Sequence, residues 1–338
     1  MSNARVENRA TAIAAALVVL LLIIAPAFVY PVFVMKLMCY TLFAATFNLL
    51  LGYVGLLSFG HAAFLGTGAY LTAHAAKVWG FDPLLAVLFG MVMAAALGAL
   101  IGALAIRRRG IEFAMITLAM AQLVAFIAHQ APFTGGENGI QNVPRGELFG
   151  LIDLNQTANL YALVLLLFIS GMLVIWRTLH SPFGHILLAI RENEDRASSL
   201  GYPVARYKLI VFVISALLAA LAGGMKALVF QLATLDDVSF HLSGEVVLMA
   251  LLGGLGTFFG PLIGALIVVS LESLLVTSAL PAPVLTGSVF VLCVLLLRRG
   301  VVGELRSVWR SRRHGPSATS HTASGGKATA LRDSLPLD

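Results

Sequence analysis

Residues 84–106 read LLAVLFGMVMAAALGALIGALAI and contain no charged side chain. A helix of about 20 apolar residues is long enough to cross the hydrocarbon core of a bilayer. The run is apolar on every side, whereas a membrane β-strand alternates between apolar and polar residues. Residues 161–176, YALVLLLFISGMLVIW, have the same continuous hydrophobicity. Both stretches therefore predict transmembrane α-helices.

The composition of the whole chain agrees with these two stretches. Of its 338 residues, 59% are hydrophobic and only 11% are charged, whereas a soluble domain is about 25% charged. So few charges could not cover the surface of a soluble fold of this size. The sequence therefore predicts an all-α polytopic membrane protein and excludes a soluble globule.

Apolar segments of spanning length occur about ten times along the chain. They predict ten transmembrane helices with short connections, at residues 11–30, 33–52, 60–78, 84–106, 111–130, 159–177, 208–230, 244–259, 261–278 and 283–298.

The positions of the basic residues predict how these helices are oriented. Of the 22 Lys and Arg residues, all but Lys36, Lys77, Arg145 and Lys226 fall on one side of a ten-span arrangement. Basic loops remain in the cytoplasm, so both termini are predicted to be cytoplasmic. The predicted domains are a cytoplasmic segment 1–10, a transmembrane domain 11–310 with an outer loop 131–158 and a cytoplasmic loop 178–207, and a disordered cytoplasmic tail 311–338.

The sequence lacks the motifs that several classes of enzyme and metal-binding protein require. The sequence has no metalloprotease, nucleophile-elbow, dinucleotide-binding or Walker A motif, so we predict no catalytic residue. Cys39 and Cys293 lie far apart in apolar runs and predict neither a disulfide framework nor a metal site. The charges Lys36, Glu112, Lys226 and Glu245 lie near predicted span ends, where their side chains can reach the membrane interface.

The cytoplasmic loop contains an amphipathic pattern. Ser181 can cap a helix and Pro182 suits its first position. The apolar residues that follow recur with helical spacing and form one stripe, at Phe183, Ile186, Leu187 and Ile190. Gly201 is predicted to end this element in a left-handed cap. The loop is either an interfacial helix lying among lipid headgroups or a segment that inserts into a soluble partner.

Two glycine-rich stretches occupy equivalent places in the two halves, at 52–60 and 253–260. They predict a weak parallel internal repeat; the alternative is that glycine is simply common in membrane helices. Gly256, Gly260 and Gly264 follow at four-residue spacing and predict one small helix face. Such a face packs within the bundle, lines a translocation path or forms a contact with another subunit.

The motifs taken together resemble a known family. Residues 195–201 resemble the E-A-A-x-x-x-G loop with which permeases of ABC importers dock on their ATPase, with Asp195 and Arg196 in place of Glu and Ala. The wider pattern resembles branched-chain amino-acid ABC transporter permeases of the LivM type. Four stretches carry the resemblance, at residues 48–64, 134–140, 181–201 and 253–264.

The resemblance implies roles for three groups of residues. The group implied to couple to the ATPase is Phe183, Gly184, Ile186, Leu187, Ile190, Arg191, Glu192, Asp195, Ala197 and Gly201. The group implied to line the translocation path or to pack helices is Gly52, Gly55, Ser58, Gly60, His61, Gly253, Gly254, Gly256, Gly260 and Gly264. The outer-loop group is Thr134, Gly135, Gly136, Asn138 and Gly139.

The resemblance also implies partners and a location. The chain would be a permease of the bacterial inner membrane, with a second, LivH-like permease, two ATPase subunits that bind ATP and Mg, and an external solute-binding protein. It would hold no cofactor itself and bind no nucleic acid. The implied substrates are branched-chain or related amino acids; the alternatives are urea or short amides, or a secondary transporter that works alone.

Overall fold

A computed structural model describes residues 13–14, 16–275 and 287–288. This part of the chain is mostly helical, as predicted. The predicted segments 1–10 and 311–338 lie outside the described residues, as does nearly all of the tenth span at 283–298. The number of spans, the side on which the termini lie and the internal repeat therefore stay predictions.

Eleven helices of six or more residues occur in the described ranges, beside three short 3-10 helices at Pro132–Thr134, Gly136–Asn138 and Leu235–Val238. The eleven are α1 (Ala16–Ala27), α2 (Pro31–Val54), α3 (His61–Lys77), α4 (Pro83–Ala105), α5 (Ile111–Gln130), α6 (Thr157–Leu179), α7 (Pro182–Glu192), α8 (Glu194–Ser199), α9 (Val204–Phe230), α10 (Phe240–Gly253) and α11 (Gly260–Leu275). Helices α2, α4, α5, α6 and α9 are long and apolar enough to cross a membrane. Helices α1, α10 and α11 are apolar but shorter.

The described residues also contain four two-residue strands, which the all-α prediction did not include. They are β1 (Ile140–Gln141), β2 (Glu147–Leu148), β3 (Ile152–Asp153) and β4 (Leu232–Ala233). The strand β1 pairs antiparallel with β4, and β2 pairs antiparallel with β3. The first pairing ties the predicted outer loop to the segment that follows α9.

Local signals in the sequence explain where several helices begin and end. The Asp82 carboxylate accepts a hydrogen bond from the Leu84 N–H at 3.0 Å, and Pro83 occupies the first helical position of α4. Both features satisfy a helix start, where backbone N–H groups have no helical partner. Gly55 caps the end of α2 with φ of 80°, a left-handed conformation that glycine adopts without steric cost.

The core of the bundle lies around α2, α3 and α9. Helix α4 packs on α9 through the small residues Ala94, Gly98 and Gly102; an added Cβ at Gly98 would approach the Ala216 Cβ to 2.6 Å. The outward faces of α4, α5 and α6 stay apolar, with more than 60% exposure at Val92, Met115, Phe126 and Leu166. Apolar residues on the outside suit contact with lipid or with another membrane subunit.

Successive long helices run in opposite directions, so the loops between them lie at two ends of the bundle. Residues 107–110, 178–203 and 254–259 lie together at one end, called here the α7–α8 end. Residues 131–158 and 231–239 lie at the opposite end, where β1 meets β4.

One sequence prediction about the glycines is wrong. Gly256 does not share a helix face with Gly260 and Gly264, because it lies in the turn between α10 and α11 with φ of 71°. Glycines at 254 and 256 both have positive φ and break the helix before α11 begins.

Candidate functional site

The short helix α7 folds back against the end of α6. The Ser181 hydroxyl accepts a hydrogen bond from the Gly184 N–H at 3.4 Å, and Pro182 occupies the first turn, as predicted. Gly184 lies so close to α6 that an added Cβ would be 2.7 Å from the Thr178 carbonyl oxygen. Only a residue without a side chain allows this close approach.

The apolar stripe of α7 faces the bundle. Leu187 is 0% exposed and Ile190 is 3% exposed, while Phe183 and Ile186 are partly buried. The prediction that Leu187 faces a soluble partner is therefore wrong, because the chain itself covers it. The exposed residues of α7 are Pro182, His185, Ala189, Arg191 and Glu192.

The predicted single helical element is in fact two helices. Asn193 has an extended backbone and caps α8, its Oδ1 accepting a hydrogen bond from the Arg196 N–H at 2.9 Å. Ala197 is buried with Ile190 in a small apolar cluster. Gly201 follows with φ of 87°, which confirms the predicted left-handed cap.

An exposed apolar surface lies directly beyond α8. Leu200 is 73% exposed and Tyr202 is 41% exposed. Two exposed apolar side chains therefore adjoin the charged, solvent-facing residues of α8.

Ion pairs join α8 to the rest of the α7–α8 end. Arg109, between α4 and α5, contacts Glu194 at 3.4 Å and Asp195 at 2.9 Å, and Lys208 of α9 contacts Glu194 at 2.7 Å. The hydrogen bond that Arg109 donates to the Asp195 carboxylate, together with the negative charges of Glu194 and Asp195, raises the pKa of the Arg109 guanidinium. From the sequence, Arg109 and Lys208 predict only the orientation of the helices in the membrane. Their acidic partners lie far along the chain or on a separate helix, so no local pattern indicates the pairing.

Three segments meet where α2 ends. Arg191 Nη1 donates a hydrogen bond to the Gly52 carbonyl oxygen. The Asn48 side chain binds the α10–α11 turn twice, because its Oδ1 accepts from the Gly256 N–H at 3.0 Å and its Nδ2 donates to the Thr257 carbonyl at 2.9 Å. Gly52, Gly55, Gly256 and Arg191 are thus brought together from separate parts of the sequence. Asn48 was not among the candidate residues, although it begins the first stretch that carries the resemblance.

Other candidates of the second group lie deeper in the bundle. Ser58 and His61 are fully buried. The His61 Nε2 lies 2.9 Å from the Thr46 hydroxyl, and the His61 ring stacks on Phe43 with centroids 5.4 Å apart. Gly60 packs against the backbone of Thr117 in α5. These contacts are those of packed helices.

The glycines of α10 and α11 bring the two helices into backbone contact. An added Cβ at Gly264 would be 2.7 Å from the Met249 carbonyl carbon, and one at Gly260 would be 3.1 Å from the Gly253 carbonyl carbon. Gly254 has φ of 108° and opens the turn. This set of residues therefore forms the seam and the tip of a helical hairpin.

The outer-loop candidates form a tight turn at the opposite end. The buried Thr134 hydroxyl lies 2.6 Å from the Ala128 carbonyl oxygen, its acceptor. Gly135, Gly136 and Gly139 all have positive φ. Asn138 closes the short helical turn between them, and the chain then enters β1.

Comparisons with known proteins agree with the resemblance. The family described as "Branched-chain amino acid transport system / permease component" matches residues 29–298. The high-affinity branched-chain amino acid transport system permease protein LivM of Escherichia coli K12 is 29% identical over 293 residues, which cover 80% of this chain and 69% of the relative.

More distant relatives also match. The ribose import permease protein RbsC of Bacillus subtilis is 29% identical over 308 residues, 84% of this chain and 90% of the relative. A probable branched-chain amino acid transport permease protein LivM of Methanocaldococcus jannaschii is 23% identical over 277 residues, 70% of this chain and 78% of the relative. No solved structure matches the chain significantly.

Proposed function

This chain belongs to the branched-chain amino acid transport permease family, and on that premise we propose that it imports branched-chain or related amino acids. It is a permease component of an ABC transport system and a multi-pass protein of the inner membrane. The proposed partners are a second, LivH-like permease, two ATPase subunits that bind ATP and Mg, and an external solute-binding protein. The proposed location of the α7–α8 end is the cytoplasm, because the arginine-rich loops lie there.

The observation that carries the proposal is the surface built from α7 and α8. The buried Leu187 and the ion pairs of Arg109 and Lys208 fix these helices to the bundle. Their other side presents Glu192, Leu200 and further exposed residues to a partner. A rigid support with an exposed apolar tip suits the transmission of force from a docked subunit.

Energy coupling in such an assembly follows from linkage. ATP binding to the partner subunits can switch the bundle between outward and inward access only by favouring one arrangement over the other. A displacement of α7 and α8 is the proposed route by which that preference reaches the membrane helices.

An uptake experiment tests the substrate class. The chain, its partner permease and the two ATPases are reconstituted in vesicles with the cognate binding protein, and uptake of labelled leucine is measured. We expect saturable, ATP-dependent uptake that isoleucine and valine inhibit and that urea and ribose leave unchanged. Ribose is included because the matched relatives include a ribose permease. Transport of ribose or urea in place of leucine would contradict the proposed substrate, and uptake without the ATPases would contradict the mechanism.

A second experiment tests the docking surface. Leu200→Asp places a charge on the exposed apolar tip beyond α8, and loss of a central apolar contact costs about 2 kcal/mol or more at an interface. We expect the amount of ATPase that co-purifies with the chain to fall more than tenfold, while membrane insertion stays unchanged.

The matched control is Leu151→Asp. Leu151 is 88% exposed and lies in the loop at the opposite end of the bundle. Equal ATPase recovery from the Leu200 and Leu151 variants would show that the ATPases dock elsewhere.

A further inference from the structure

The carbonyl groups at the end of α2 need partners from outside the helix. The last four carbonyls of an α-helix lack helical N–H donors and carry partial negative charge. Gly52 belongs to this last turn, because α2 ends at Val54. Its carbonyl oxygen accepts a hydrogen bond from Arg191 of α7. Arg191 therefore completes α2 with a cationic donor, which is the type of group that a helix C-terminus favours.

The α10–α11 turn meets the same atoms. A Cβ added at Gly256 would lie 3.1 Å from the Gly52 carbonyl oxygen and 3.3 Å from Arg191 Nη1. Gly256 also has φ of 71°, so a larger residue would be strained there as well as crowded. The turn, the end of α2 and the guanidinium of Arg191 are therefore in direct contact.

A second attachment holds the turn to α2. Asn48 is 3% exposed and lies one helical turn before Gly52. It binds the Gly256 N–H and the Thr257 carbonyl at the same time. The turn is consequently fixed to α2, and α2 is fixed through Gly52 to α7.

We propose that Arg191 is a positioning residue that joins the ATPase-docking helix α7 to the α10–α11 turn. This inference rests on the proposed function. Arg191 is itself exposed, but its role differs from that of the other exposed residues on α7, because its guanidinium contacts the end of α2 in its own chain. When α7 moves, the end of α2 and the tip of the hairpin move with it.

The first test does not depend on transport. In Arg191→Met the side chain keeps an unbranched, flexible stem, shorter than that of arginine, and has no hydrogen-bond donor. We expect amide hydrogen exchange in residues 252–260 of the purified chain to accelerate at least tenfold, with exchange in α3 unchanged. Arg177→Met, at an exposed position in the last turn of α6, is the control and should leave both regions unchanged. Unchanged exchange in residues 252–260 of Arg191→Met would overturn the proposal.

The second test measures coupling in the full complex. We expect Arg191→Met to retain ATPase co-purification and an ATPase rate within about twofold of the unmodified chain, while uptake per ATP hydrolysed falls at least tenfold. Arg191→Lys should recover part of this ratio, because an ammonium group can reach one carbonyl. Gly256→Ala should lower the same ratio by crowding the guanidinium.

The outcomes separate the two proposals. An unmodified complex without ATP-driven uptake would refute the proposed function, and the exchange experiment would still decide whether Arg191 holds the turn. An unmodified complex that transports, beside an Arg191→Met complex with the same uptake per ATP, would refute the coupling role alone. A fall in uptake that matches the fall in ATPase rate would also refute the coupling role, because a purely structural or docking role predicts that result.

Discussion

We expect Lys226→Met to lower the stability of the protein by about 3–5 kcal/mol. Lys226 Nζ pairs with the carboxylate of Asp237, which is 0% exposed. The same carboxylate accepts a hydrogen bond from the Thr234 N–H at 3.1 Å and so caps the turn before α10. Removing the lysine leaves a fully buried charge without its counterion. The measurement is the apparent thermal midpoint of the purified chain in detergent.

Two further variants identify the cause of this loss. Lys226→Met combined with Asp237→Asn should recover much of the stability, because the asparagine carries no charge and still offers an acceptor to Thr234. Arg108→Met removes an exposed partner from the pair that Arg108 forms with Glu112 at 3.3 Å, and it should cost less than about 1 kcal/mol. A double variant no more stable than Lys226→Met would contradict this account.

The sequence led to a different prediction for the Lys226 side chain. Lys226 was expected to extend to the membrane interface, and Lys36 likewise, because both lie near span ends. In the structure Lys226 pairs with Asp237. Lys36 Nζ lies 3.2 Å from the carboxylate of Glu272, a residue 236 positions further along the chain. Hydropathy gives the depth of a residue in the membrane, but the partner of a charge depends on which helices pack together. Glu112, by contrast, is exposed and pairs with Arg108 one helical turn before it.

Helix positions were more predictable than helix contacts. Continuous apolar runs, Pro at first turns, and Gly or Ser at helix ends are local signals, and nine of the ten predicted spans have a helix in the described residues. The break at Asn193 was missed because the apolar stripe of α7 suggested one continuous element. Gly256 was placed on a helix because spacing alone does not reveal a positive φ.

The candidate site was predictable in its segments but not in its orientation. The pattern of residues 181–201 identified an amphipathic helix with a left-handed stop at Gly201, and both are present. The periodicity could not reveal whether the apolar stripe faces a partner or the bundle. Leu187 faces the bundle, so the contact surface must be sought at exposed positions such as Leu200. The meeting of Arg191, Asn48 and Gly256 joins three segments that no local pattern connects.

The seam between α10 and α11 should be among the least tolerant parts of the chain. Membrane helices associate through close van der Waals packing, because lipid is as apolar as their side chains. A Cβ added at Gly264 would overlap the Met249 carbonyl group and lie 3.1 Å from the Gly253 nitrogen. Gly264→Leu should therefore force the two backbones apart and lower the stability by about 3 kcal/mol. Gly264→Ala should have a smaller effect in the same direction.

Gly244 of α10 provides a matched control. Among the described residues, no atom outside the surrounding turns of α10 lies within 4 Å of a Cβ added there, so Gly244→Leu should be tolerated and Gly244→Ala should stabilise α10 by about 0.5–1 kcal/mol. Thermal midpoints in detergent, measured for all four variants, test both expectations. Equal midpoints for Gly264→Leu and Gly244→Leu would contradict the close seam.

The length of α10 explains why separation of this seam should also impair transport. Its 14 residues extend only about 21 Å, whereas the hydrocarbon core is about 30 Å thick. The turn after α10 therefore depends on other parts of the chain to satisfy its backbone groups, and Asn48 supplies two of those hydrogen bonds. A leucine at Gly264 that displaces α11 pulls on this turn and on its contact with Arg191. We accordingly expect Gly264→Leu to insert into the membrane, to co-purify with the ATPases, and to lose most of its uptake.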